Sequence, residues 1–158
     1  MLASNFRFAT EDVDVSKLEH PLPDWLAKIV SAIAARNGWK EDWFNDGVAF
    51  HLSSLADHAS DHLEFATFPC GSDEAGLVIS VPTAEYLLAF RILDPSRGET
   101  ERLDILNLMR VVGIASAEEA IALLGRYFPI SAASSEKQRF LLKNMNSDGA
   151  LDAPKYPR

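Results

Sequence analysis

The apolar pattern of this chain changes period at Pro82. Upstream, short β-rich runs separated by turn residues surround a single helical stretch; downstream, apolar residues recur three and four positions apart as far as residue 145. A period near two marks strands with one buried face, and a period near 3.6 marks amphipathic helices. Strands with an interspersed helix followed by helices alone predict an α+β fold, with an antiparallel or mixed sheet backed by a C-terminal helical lobe. Residues 1–82 would form the αβ part and 83–145 the helical part, packed on it as one compact domain. The segment 146–158, with two Pro and an Asp-Gly pair, is expected to be mobile.

Individual elements follow from the same spacing. In Asp12-Val13-Asp14-Val15 the acidic and apolar residues alternate, which predicts a short strand with both carboxylates on one face. Leu26, Ile29, Val30 and Ile33 place a helix over Trp25 to Ala35, with Asn37-Gly38 as its C-terminal signal. Residues 41–55 read as a loop or broken helix passing into a short strand. His62 to Phe68 and Leu77 to Val81 read as two strands joined by the turn at Pro69-Cys70-Gly71. Helices are then expected from Pro82 and over about 99–112, 116–128 and 136–145, where Ser116 and Glu119 have the spacing of a capping box.

With 158 residues, 47% of them hydrophobic, the chain is long enough to bury a core without crosslinks. Its one cysteine, Cys70, supplies neither an internal disulfide nor a cysteine-based zinc cluster. No apolar run reaches the roughly 20 residues of a membrane helix, and the N-terminus lacks a signal-peptide pattern, so a cytoplasmic protein without membrane contact is expected. Charge is uneven: residues 1–129 carry 10 basic and 20 acidic side chains, and no Lys or Arg occurs between Glu41 and Phe90. Such a surface repels phosphate backbones, which excludes non-specific DNA binding as an expected activity.

Asp12 and Asp14 are the first candidates for chemistry. Two carboxylates on one strand face could share a hard cation such as Mg²⁺, the plain alternative being an exposed acidic strand edge. By alternation Glu64 is the best third carboxylate. His58 and His62, four apart beside Asp57 and Asp61, could share a helix face and a transition metal, with His51 nearby, or could decorate a solvated loop. Cys70 reads as a turn thiol, Trp25, Trp39 and Trp43 as packing residues, and Lys137, Arg139 and Lys143 as a solvated basic helix face that could also touch RNA.

Several longer motifs occur in a fixed order. They are Thr10-Glu11-Asp12-Val13-Asp14, Trp43-Phe44-Asn45-Asp46, the run Pro82-Thr83-Ala84-Glu85-Tyr86-Leu87-Leu88-Ala89-Phe90-Arg91, Arg102-Leu103-Asp104-Ile105, Gly113 to Ala120, and Arg126-Tyr127-Phe128-Pro129. Over about residues 9–129 the chain resembles bacterial nucleotidyltransferase-like proteins related to AbiEii-type toxins. The resemblance implies a nucleotidyltransferase-like small mixed sheet with flanking helices. It further implies Mg²⁺ held by Asp12, Asp14 and Glu64, Arg91 and Thr10 as nucleotide-binding residues, and Asp104 as an orienting or base residue. The reaction implied is transfer of a nucleotidyl group from a nucleoside triphosphate to an RNA or protein acceptor.

Three positions depart from the family pattern. No glycine precedes Gly38, so the family's phosphate-cradling turn upstream of the aspartates does not occur in these residues. Arg91 stands where relatives carry Lys, and Glu101 where they carry Asp. The alternative reading is therefore a catalytically inactive binding or antitoxin-like module.

Overall fold

The structure, a computed structural model, describes residues 13–16, 23–69, 76–94 and 99–147. They fall into two compact units divided between Leu52 and Ser53. Thr10, Asp12, Cys70 and the tail beyond Ser147 lie outside the described residues.

The first unit contains β1 (Val13–Asp14), α1 (Asp24–Asn37), β2 (Phe44–Asn45) and a 3₁₀ turn (Gly47–His51). Helix α1 begins directly after Pro23, whose ring fixes φ for helix entry, with Asp24 in its positive first turn. Val30 and Ala34 are its buried residues. Gly38 ends it in the left-handed conformation at φ 66°, and the Trp39 N–H closes back on the Ala34 carbonyl at 3.0 Å. The returning chain is fastened by the Trp43 indole, which donates to the Val30 carbonyl at 3.2 Å and meets Trp39 edge-on. This lets β2 run parallel to β1, with Val13 opposite Phe44 and Asp14 opposite Asn45.

The second unit begins with α2 (His58–Asp61), which leads into the hairpin of β3 (His62–Phe68) and β4 (Leu77–Pro82). The hairpin is antiparallel, with a register shift between Glu64 and Ala66 that leaves Phe65 as a bulge. Helices α3 (Ala84–Leu93), α4 (Glu99–Val112), α5 (Ala117–Tyr127) and α6 (Ala132–Ser147) follow. Thr83 caps α3 by accepting the Tyr86 N–H, and Ser116 with Glu119 forms the expected capping box of α5. The core lies among these helices, where Leu88, Ile92, Ile105, Leu106, Leu108 and Leu124 are the largest fully buried side chains. Helix α6 is tied on by Gln138, whose Nε2 donates to the Leu93 carbonyl at 2.9 Å.

The α+β reading holds. In place of one mixed sheet, however, the described residues form two separate two-stranded ladders, one parallel and one antiparallel. A parallel pair needs a crossover, which α1 supplies, whereas β3 and β4 close as a local hairpin; neither ladder requires the other for its hydrogen bonds. Pro82, where the apolar period changes, lies inside the second unit. Helix α6 starts four residues earlier than the spacing predicts, because the Ser131 hydroxyl accepts the Ser134 N–H at 3.1 Å and so starts a turn that carries no apolar signal. Among the described residues no helix is long and apolar enough to cross a membrane.

Candidate functional site

The candidate residues fall in both units. Asp14 sits on β1 of the first, where its backbone pairs with Asn45 in the register of the parallel ladder. Glu64, Arg91 and Asp104 belong to the second. Glu64 is exposed on β3, and its Oε1 accepts the Thr67 hydroxyl at 2.6 Å. Arg91 is half-buried on α3, while Asp104 on α4 is only 2% exposed between the helices of the core. Arg91 and Asp104 lie on the consecutive helices α3 and α4. Among the described residues no group of three or more His, Cys, Asp or Glu side chains is arranged to hold a metal ion.

A second polar cluster gathers where α2 meets α3 and α5. The Asp61 carboxylate accepts the Asp57 N–H and the Tyr127 hydroxyl, each at 2.8 Å, and the Thr83 N–H donates to the Asp61 carbonyl at 2.8 Å. The Ser53 hydroxyl donates to the Tyr127 carbonyl, and the Ser53 N–H donates to the Tyr86 hydroxyl oxygen at 2.9 Å. A loop, a short helix, the residue between β4 and α3, and helices α3 and α5 thus meet in one network. The Asp57 N–H holds the Asp61 carboxyl below its ordinary range, with the Tyr127 hydroxyl acting in the same direction against burial. Burial and the Asp61 carboxylate push the Tyr127 phenol up to about 12. At neutral pH the pair is therefore fixed as carboxylate and phenol. A general acid or base works best with a pKa near the operating pH, so this pair is a structural clamp.

The histidines of the cluster are held in the same way. His58 and His62 stack with ring centroids 5.0 Å apart and planes 18° from parallel, and His62 meets Tyr86 edge-on at 5.5 Å. Imidazole lone pairs lie in the ring plane, so two nearly parallel rings at this separation do not converge on one ion. The shared transition-metal site that their four-residue spacing allows is therefore not formed. The His62 Nδ1 is buried without a hydrogen-bond partner. Burial and the neighbouring His58 lower the His62 pKa against the opposing pull of Asp61, which favours the neutral ring.

Next to this cluster an open cleft of about 510 Å³ is lined by Ser60, Asp61, Thr83, Glu85, Val111 and Arg126, among others. Its one guanidinium, Arg126, bridges to Glu85 at 3.2 Å and lies 5.4 Å from the centre of the Tyr127 ring. With that cation paired and two carboxylates in the wall, the charged lining residues give the cleft no net positive charge toward a phosphate. On α6, Arg139 pairs with Glu136 and Lys143 with Glu118, as a solvated face would. Trp25 and Trp39 are about half exposed on the first unit, while Trp43 packs between Trp39 and Phe44. The Asp61–Tyr127 clamp was not visible in the sequence, since its partners stand 66 residues apart; only the His58 and His62 spacing pointed to this region.

No protein-family model matches the chain, and neither a curated protein nor a solved structure matches it.

Proposed function

We propose that this protein is nucleotidyltransferase-like and transfers a nucleotidyl group from a Mg²⁺-bound nucleoside triphosphate to an RNA or protein acceptor in a toxin–antitoxin-related setting. The observation that carries the reading is the register of β1 on β2. Asp14 of the Asp-Val-Asp motif stands opposite Asn45 of the Trp-Phe-Asn-Asp motif, so two of the ordered motifs that carry the family resemblance meet in one parallel pair. Carboxylates two positions apart are hard oxygen donors of the kind Mg²⁺ takes together with phosphate oxygens. Asp12 and Asp14 would hold the metal, which when bound neutralises charge on the triphosphate. Thr10 and the Arg91 guanidinium would bind phosphate oxygens, and the acceptor oxygen would attack the α-phosphorus as pyrophosphate leaves. Asp104, being buried, suits the orienting role and not that of a base in contact with substrate.

The second reading is a catalytically silent module of the same kind. It is favoured by the burial of Asp104. Calorimetric titration of each of the four nucleoside triphosphates, with and without Mg²⁺, separates the two. For the first reading, binding needs Mg²⁺ and is lost in the Asp12→Asn, Asp14→Asn double variant. Absence of binding to the wild-type chain, or binding that the double variant retains, overturns it and leaves the silent module.

A further inference from the structure

Helix α1 buries Val30 and Ala34, with Leu26 and Ile33 half-buried beside them. On its other side Trp25, Ile29, Ala32 and Arg36 form an exposed stripe, in which Trp25 and Ile29 are each 48% exposed. Their spacing of four, three and four residues is that of the inner positions of a coiled coil, which run along one side of a helix. A helix face that meets only water is ordinarily polar, so three apolar residues at this spacing mark a contact surface.

The order of residues along the stripe selects the occupant. In a symmetric pair, every contact of one residue with another recurs in the reverse sense. An antiparallel pairing about a two-fold axis between Val30 and Ser31 sets Trp25 opposite Arg36 and Ile29 opposite Ala32. Each contact then joins side chains that suit one another: a guanidinium meets an indole, and a large aliphatic side chain meets a small one. The same pairing opposes the helix dipoles and brings Asp24, in the positive first turn, alongside the last turn of the other copy, where Arg36 lies. The two Arg36 residues stand about 16 Å apart along the axis, beyond the screening length at physiological salt. A parallel pairing would instead set Arg36 on Arg36. Helix α1 carries Lys28 and Arg36 against Asp24 alone, so the acids behind the net charge of −8 lie elsewhere. We infer that the Trp25–Ile29–Ala32–Arg36 stripe of α1 docks the same stripe of a second copy of this chain, antiparallel, with Ile29 against Ala32 at its centre. About three helical turns make a small interface, so the association is weak and rises with concentration. It is independent of nucleotide chemistry.

The test uses the full chain. Sedimentation equilibrium of the wild type should show monomer and dimer in exchange, and Ile29→Glu should weaken the dimer about tenfold or more with an unchanged circular dichroism spectrum. Register is read with cysteines in a Cys70→Ser background, because a disulfide needs Cα atoms within about 7 Å. Ile29→Cys mixed with Ala32→Cys should oxidise to a mixed dimer severalfold faster than either variant oxidises alone. In dilute monomer, Ile29→Cys should react with a maleimide at a rate close to that of the unfolded chain, and high concentration should protect it. A wild type that stays monomeric up to millimolar concentration overturns the inference, as does a dimer that Ile29→Glu leaves intact. So do equal oxidation rates in the mixture and in the single variants. Slow labelling of the dilute monomer overturns it too, since the stripe would then be covered within one chain. Because sedimentation is read first on the wild type, a poorly folded variant does not remove the test.

Discussion

His62 sits with its ring between His58 on α2 and Tyr86 on α3, and with Nδ1 buried and unpaired. A proton added there would place a charge where water cannot reach it and beside a second imidazole, offset in part by Asp61 and Asp57. The unfolded chain takes up that proton near the ordinary value of 6.5 and the folded chain only at lower pH. Because the unfolded state binds more protons in this window, stability should be full above 6.5 and decline as pH falls below it. Thermal unfolding at pH 7.5 and 5.5 should show a lower Tm at 5.5, with a smaller drop in His58→Ala, which removes the repelling neighbour. An equal drop in that variant would show that the stacked pair is not its source. This environment was only partly legible in the sequence. The four-residue spacing of His58 and His62 marked the pair, but the same spacing also suggested a shared ion, and ring orientation depends on Tyr86, which the chain brings back 24 residues later.

Legibility at the scale of elements tracks the strength of the periodic signal. α1, α3, α4 and α5 were readable to within about two residues, because each repeats an apolar face and ends on a cap or a glycine. β1 and β2 are two residues long and hold together through a parallel partner about 30 positions away, which alternation over so short a span cannot specify. Glu64 illustrates a different limit: its alternation was read correctly as strand, yet the bulge at Phe65 that interrupts the register directly after it follows from pairing with β4. The α5 capping box is the strongest local signal and yields a quantitative expectation. The Ser116 hydroxyl accepts the Glu119 N–H at 3.2 Å, while the Glu119 carboxylate accepts the Ala115 and Ser116 N–H groups at 2.9 and 3.2 Å. Ser116→Ala should therefore cost about 1 kcal/mol in urea unfolding, and Ser116→Asp should restore most of it. A cost near zero would mean that packing of the buried Ala117, Ala120 and Leu124 holds the end of α5 without its cap.

Across the molecule, burial is concentrated in the helices of the second unit. Val30 and Ala34 are the buried hydrophobic residues of the first unit among those described, and the remainder lie on α3, α4, α5 and α6 or at Phe128 directly after α5. Since the hydrophobic effect scales with apolar area removed from water, resistance to opening should follow this distribution. Native-state hydrogen exchange is expected to find its slowest amides in α3, α4 and α5, exchanging only through global unfolding. Those of α1 and of the β1–β2 ladder should exchange through openings of lower free energy. Leu88→Ala, at a site with no exposure, should lower global stability by about 2–5 kcal/mol through lost burial and a residual cavity. It should accelerate α3–α5 exchange in proportion to that loss and leave the lower-energy openings of α1 nearly unchanged. If α1 accelerates equally, the two units open as one cooperative body. The exchange rates of α1 would then be set by the helical core instead of by its own two buried residues.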